Sequence, residues 1–443
     1  MDKNMKAINK YISGLAGAAL LFGFAACDNI DYPDRFVQTD GAPTIDYVRY
    51  ADKDVLITQA SMEELVCIVG DNLTSVHDLY FNDQAAVLNT SYITDHTLLI
   101  TVPKTLPTVQ TDQIYLVTKD STVVSYPFKV LPPAPKISGM DLEWANVGDD
   151  VTITGSYLFA PLTVSFPGAD DIEIASGLDG SSVTVKVPAG AQPGKIKITS
   201  ASGTAQSIFE YKDSRGMLFD FDGATGLDNH GWNGHPSKDD DGNGISGRYY
   251  QFGDGTVTLD GSWEEANFSF VYWPGSWNTP ENYQDGAQGA RLIDLADFSN
   301  WQNMALKFEV CVPSSSPWSN TPMQIVMAGT DLVTFGNGGI QDIYGNTVAG
   351  ANNSYMSGNV APRAFWEPWK DSGSFDTGGK WKTVSIPLTE FTLGWDGNKA
   401  ESSPSAESFA SMWMFICNGG KSYEDASCTP IIRIDNIRAV PYK

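Results

Sequence analysis

Positive charge is scarce in this chain. Across 443 residues, 28 Lys and Arg stand against 53 Asp and Glu, a formal net charge of −25. A surface this acidic repels phosphate backbones, so nucleic acid is excluded as a partner. Histidine is scarcer still, with four residues, and no zinc signature or nucleophile motif occurs. Five cysteines are too few for a disulfide scaffold. Cys67 and Cys311 lie inside apolar strand-like runs and read as buried thiols; Cys417 and Cys428 are near enough in sequence to close a loop, which spacing alone does not establish. Helical periodicity is missing, and past the N-terminal leader no apolar run is long enough to cross a bilayer.

What is present begins with an address. Lys3, Lys6 and Lys10 precede the apolar run "YISGLAGAALLFGFAA" and then Cys27, the pattern of a secretory signal over residues 1–26. "FAAC" (24–27) resembles a bacterial lipobox, in which the cysteine is lipidated, although Phe24 replaces the usual aliphatic residue. "CDNIDYPD" opens an acidic linker, residues 27–42, and resembles the surface-export signal of Bacteroidetes lipoproteins. The expectation is a protein held by acyl chains on Cys27 at the extracellular face of the outer membrane.

Residues 43–131 and 135–212 repeat one pattern. "LVCIVGDNL" (65–73) and "LLITVP" (98–103) in the first correspond to "DVTITGSYL" (150–158) and "VTVKVP" (183–188) in the second. Gly70 to Pro103 spans 33 residues, and so does Gly155 to Pro188. Short β-branched runs at this density predict immunoglobulin-like sandwiches. The G-x-x-L turn and V-P strand ending resemble the IPT/TIG family. One Trp (Trp144) and no His or acidic cluster leave a spacer as the simplest role, and "LPPAP" (131–135) reads as a stiff hinge.

Residues 216–443 differ sharply, carrying eleven of the twelve tryptophans. Runs such as "NFSFVYW" (267–273), "ALKFEVCV" (305–312), "MQIVMA" (323–328) and "IIRIDNIRAV" (431–440), separated by Gly/Asn/Ser loops, predict one large jelly-roll sandwich. The predicted fold class is all-β throughout. "LFDFDG", "WKTVSIPL" and "IRIDNIR" look like the jelly-roll carbohydrate-binding modules. The whole plan of leader, tandem modules and Trp-rich sandwich resembles the surface glycan-binding lipoproteins of Bacteroidetes polysaccharide-utilisation loci, in the SusE-like position. That resemblance implies binding of an extracellular polysaccharide, a β-linked plant-type glucan such as xyloglucan or mixed-linkage glucan. It also implies a TonB-dependent transporter and a SusD-like protein as partners.

Alternation in "NFSFVYW" puts Phe268, Phe270 and Tyr272 on one face and Trp273 on the other, among small polar residues. A flat indole suits the C–H face of a pyranose, and its rigidity limits the entropy lost on binding. Trp273 is therefore the first candidate. The family platform combines an early Trp with a Tyr-Trp pair, which match Trp232 and Tyr272–Trp273 here. Alternation makes Tyr272 core and the resemblance makes it platform; both readings stand at this level. Met323, Ile325 and Met327 point inward, so Gln324 points outward with an amide for sugar hydroxyls. Trp277, Trp318, Trp366 and Trp369 fall on expected loops as further platform residues, whereas Trp381 and Trp413 lie within strands as core.

"DDDGNG" (239–244) places Asp239, Asp241 and Asn243 at EF-hand positions 1, 3 and 5, but position 12 is Tyr250. A partial structural calcium loop and an acidic turn both fit, and no other cofactor is expected. A jelly-roll glycoside hydrolase would need two placed carboxylates from Glu264, Glu265, Glu309 and Glu367, of which the adjacent first two make a poor pair. A structural adhesin would show little exposed aromatic surface.

Overall fold

The computed structural model describes residues 36–177, 179–229, 237–272, 290–329, 359, 361–420 and 426–442. Strands dominate, and among the described residues no helix exceeds four residues. None is long and apolar enough to cross a membrane. The chain folds as two compact units, Met1–Pro135 with Thr199–Thr204, and Lys136–Ile198 with Ala205–Lys443.

The first unit holds the first immunoglobulin-like module. One sheet runs Leu56–Ile57, Tyr47–Tyr50, Leu65–Val69, Thr97–Thr101; the other runs Gln84–Ala86, Val76–Phe81, Gln113–Thr118, Val123–Pro127. Their inward side chains, among them Val66, Ile68, Leu98, Ile114 and Leu116, form its core. The second module, in the second unit, pairs Lys136–Met140, Asp150–Leu158 and Gly180–Lys186, and packs Val151, Ile153, Val183, Val185 and Ile198.

The repeat glycines now have a cause. A Cβ on Gly70 would overlap the Thr44 carbonyl oxygen, and one on Gly155 would overlap that of Lys136. In each module the strand passes so close to the opening strand that only glycine fits.

Among the described residues the C-terminal sandwich has nine strands: β1 (Met217–Phe219), β2 (Tyr250–Phe252), β3 (Ser269–Tyr272), β4 (Met304–Cys311), β5 (Met323–Ala328), β6 (Arg363–Trp366), β7 (Lys382–Pro387), β8 (Ser411–Ile416) and β9 (Ile432–Pro441). One sheet has the order β1–β9–β4–β7, with β2 also on β9; the other has the order β3–β8–β5–β6. Leu306, Phe308 and Val310 of β4 face Phe270, Ile325, Met327 and Met414 across a single apolar core.

Every residue of β4 is buried, including Lys307 and Glu309 on its outward face. The second module explains this. Glu143 accepts from Lys307 Nζ at 2.6 Å and from Arg438 Nη2 at 3.0 Å, while Arg438 forks onto Glu309 at 2.8 and 3.0 Å. Thr383 of β7 stitches the joint further. Its hydroxyl donates to Glu309 at 2.9 Å and accepts from the Glu143 amide at 2.7 Å, and its own amide donates to the Asp141 carbonyl at 2.9 Å. The guanidinium of Arg438 lies 5.8 Å from the centre of the Trp144 ring, so the sole tryptophan of the repeats belongs to this joint. The boundary expected between residues 212 and 216 thus separates two folds that share one buried polar interface.

Candidate functional site

The outward face of β3–β8–β5–β6 is where alternation places the candidate recognition side chains. Its outward positions are Ser269 and Val271 on β3, Trp413 and Phe415 on β8, Gln324 and Val326 on β5, and Arg363 and Phe365 on β6. The inward residues of β3, β8 and β5 belong to the core, so the predicted alternation holds. The predicted exposure does not, because a second layer of turns covers this face.

Gln324 shows the correction most clearly. It is on the expected side of β5, but its exposure is 0%. Its Nε2 donates to the Cys417 carbonyl at 3.2 Å, and its Oε1 accepts from Arg363 Nη1 at 2.9 Å. Burial lowers the Arg363 guanidinium to about 10, which leaves it charged at neutral pH, and its plane lies 5.6 Å from the Trp395 ring centre. Gln324 therefore braces a cation beneath the surface layer.

Tyr272 is a core residue. At 1% exposure its ring meets Phe219 edge-on at 5.2 Å, and its hydroxyl donates to the Ala290 carbonyl. Burial raises the phenol well above its ordinary range. The alternation argument prevails here over the assignment carried across from the family platform. Trp318 is likewise core at 0% exposure, its indole N–H shared between the carbonyls of Asn320 (2.7 Å) and Thr321 (3.0 Å). Trp366 lies on strand β6 instead of a loop. It packs against Trp318 at 5.3 Å and Phe308 at 5.3 Å, and the half-buried Trp369 leans on the same core. The aromatic bulk of these three serves packing.

Trp413 is fully buried as expected, while Trp381 is half-buried just before β7 and donates to the Asn243 carbonyl at 3.0 Å. Trp232, Trp273 and Trp277, like Cys27, lie outside the described residues.

The acidic turn is engaged by protein donors. Asp239 meets Arg248 at 3.0 Å; Asp241 accepts from the Asn243 amide and the Tyr249 hydroxyl, each at 3.0 Å. The Asn243 amide holds the Asp241 carboxyl below its ordinary range. Among the described residues no group of three His, Cys, Asp or Glu is arranged to hold a metal ion. Three of the four carboxylates named for hydrolysis are dispersed as well, the side chain of Glu265 lying outside the described residues. Glu309 sits in the buried joint, Glu264 caps the Asn267 amide at 2.8 Å, and Glu367 pairs with Lys370 at 3.1 Å. Cys417 and Cys428 are both free thiols.

Two tryptophans that sequence reasoning passed over form the upper layer. Trp263 stacks obliquely on Phe415, with centroids 4.8 Å apart, and meets Trp395 at 6.1 Å with 51° between the planes. Both sit in turn-rich contexts, "DGSW" and "LGWDG". That small-residue framing was the available signal.

Residues 211–441 match the family model described as the surface glycan-binding protein B xyloglucan binding domain. The chain belongs to the surface glycan-binding protein B family. The crystal structure of surface glycan-binding protein PbSGBP-B from Prevotella bryantii is 40% identical, covers 91% of this chain and all of its own, and superposes with a TM-score of 0.75. An IPT/TIG domain-containing protein of Bacteroides ovatus is 28% identical over 168 residues, which is 35% of this chain and only 33% of that relative's length. A surface glycan-binding protein B from a complex xyloglucan utilisation locus in Bacteroides uniformis is 15% identical. It covers 90% of this chain and all of its own, with a TM-score of 0.35. Family membership makes this a cell-surface glycan-binding protein, with IPT/TIG-like modules ahead of a glycan-binding β-sandwich.

Proposed function

We propose that the protein captures a neutral β-glucan, xyloglucan or mixed-linkage glucan, on its C-terminal sandwich and presents it without cleaving it. The observation that carries this reading is the outer layer of β3–β8–β5–β6. There, indole rings lie over an amide and a guanidinium inside a domain matching the xyloglucan-binding family model. Aromatic faces desolvate pyranose C–H surfaces, and neutral glycans suit a chain of net charge −25. Trp232 and Trp273 join the platform on the sequence argument already given. The dispersal of the candidate carboxylates supports capture over hydrolysis. The leader and "FAAC" support a lipid anchor at Cys27 on the outer membrane, and the resemblance supports handover to a TonB-dependent transporter with its SusD-like partner.

Affinity electrophoresis of the protein lacking residues 1–26, in gels containing xyloglucan or barley-type mixed-linkage glucan, tests the reading. Retardation by at least one, with the polymer's chain length unchanged after incubation, is the expected result. Unretarded migration in both gels, or new reducing ends, would overturn it.

A further inference from the structure

We infer that Trp263 and Trp395 together form a preassembled stacking step for one segment of a neutral glucan chain, two residues that sequence reasoning did not nominate for the platform. The inference rests on the glycan-binding reading above.

Exposure comes first. Trp263 is 44% exposed, and it is the one tryptophan among the exposed large apolar side chains of the described residues. Phe415 packs against it with ring centroids 4.8 Å apart and Trp395 with centroids 6.1 Å apart, and nearly half of its surface remains in water. Packing alone gives no reason to hold an indole there.

The mounting is the second observation. Both rings are carried on turns tied to one short segment that follows β8. The Asn418 amide donates to the Gly261 carbonyl at 3.0 Å, fixing the turn before Trp263. Two residues later the Gly420 amide donates to the Trp395 carbonyl at 3.1 Å. Between them Gly419, at φ +62°, leaves no room for a side chain, because a Cβ there would strike Gln324 and Trp395. Gly261, at φ +87°, admits Asn418 in the same way. Trp395 also rests over the Arg363 guanidinium, which Gln324 braces. The two indoles are thus locked before any ligand arrives, which removes the ordering cost that a mobile platform would incur.

The ligand class follows from the chemistry. The exposed Trp263, with the half-buried Trp395 set beside it at 51°, makes a bent apolar step against which a pyranose can stack. Ser262, Asp396 and Asn398 lie on the same turns and provide polar groups for equatorial hydroxyls. The protein's acidity disfavours polyanionic polysaccharides, so the segment taken is an uncharged glucan.

Affinity electrophoresis and calorimetric titration would compare the wild type, Trp263→Ala and Trp263→Phe on xyloglucan and mixed-linkage glucan, with melting curves for each. Trp263→Ala should bind at least tenfold more weakly at an unchanged melting temperature, and Trp263→Phe should recover most of that loss. A folded Trp263→Ala protein with wild-type affinity for both glucans would overturn the inference alone. Wild-type protein that binds neither would overturn the functional reading instead. Should Trp263→Ala fail to fold, N-bromosuccinimide modification of the wild type with peptide mapping gives an independent answer. Saturating glucan should protect Trp263, and an unchanged modification rate would refute the site.

Discussion

Removing Glu143 should destabilise the second unit more than the loss of any exposed carboxylate could. Glu143 is the only member of the buried cluster that comes from the immunoglobulin-like module; Lys307, Glu309 and Arg438 come from the sandwich. Two cations and two carboxylates balance there, all but sealed from water. Glu143→Ala leaves two cations against one carboxylate, and Lys307 loses its 2.6 Å partner. Stripping one partner from a buried pair costs roughly 3–5 kcal/mol, most of it the desolvation of the charge left behind. The unit comprises about 300 residues. At ~2.1 cal/mol/K of unfolding entropy per residue, that penalty lowers its melting temperature by about 5–8 °C. Differential scanning calorimetry of the whole protein measures this. Adding Lys307→Met to Glu143→Ala should restore at least half of the loss, since it removes the orphaned cation. A Glu143→Ala transition within about 1 °C of wild type, or a double variant no better than the single, would refute the cluster's role in joining the two folds.

Tyr272→Phe should leave glucan affinity unchanged in gel retardation and lower stability by about 1 kcal/mol, the worth of its hydrogen bond to Ala290; weakened binding by a folded variant would return Tyr272 to the platform. Asp435 is fully buried, and burial pushes its carboxyl up to about 8. The folded state therefore keeps a proton that the unfolded chain loses near pH 4, so this group's contribution to stability is full below about pH 4 and declines as pH rises toward 8. Asp435→Asn keeps the polar contacts to Ser246 and the Asn436 amide without that decline. Its melting temperature relative to wild type should gain on the order of a few degrees between pH 4 and pH 8, and a pH-independent difference would count against the reading. Gly155→Ala should cost about 2 kcal/mol or more by denaturant melts, because its Cβ meets the Lys136 carbonyl, and a neutral result would deny the close strand approach.

Much of the fold was legible because period-2 alternation and repeated glycines are local signals. The spacing of Gly70 and Gly155 to their prolines marked two copies of one module, and the close strand approach is the physical reason for both glycines. The site was less legible, since alternation gives the side of a sheet and not what lies over that side. Gln324 was placed on the correct face, yet it is buried by turns contributed from residues 261–263 and 394–395 and from the segment after β8. Trp318 departs from its expected loop position for a related reason. "SSPWSN" has loop composition, but the main-chain carbonyls of Asn320 and Thr321 satisfy its indole N–H and allow the ring to enter the core. The joint through Glu143 was invisible in the sequence because its charges lie up to 295 positions apart.

Each sheet of the sandwich carries a cover over part of its outward face, and the chemistry of the two covers separates their roles. Over the five-stranded sheet, charge meets charge: Glu143 closes on Lys307 and Arg438, and Trp144 lies against the same guanidinium. A cover that satisfies every ion with a counter-ion from the neighbouring module is a structural joint and offers little to a neutral sugar. Over the four-stranded sheet, Gln324 donates to the carbonyl of Cys417, and Arg363 meets the side chain of Gln324 and the face of Trp395. The outermost member of that cover is an indole with nearly half its surface in water. Recognition of a neutral polymer requires apolar faces presented rigidly beside amides and hydroxyls, and only the second cover supplies them among the described residues. With the adjoining module over the first sheet, the proposed glycan site falls on the second.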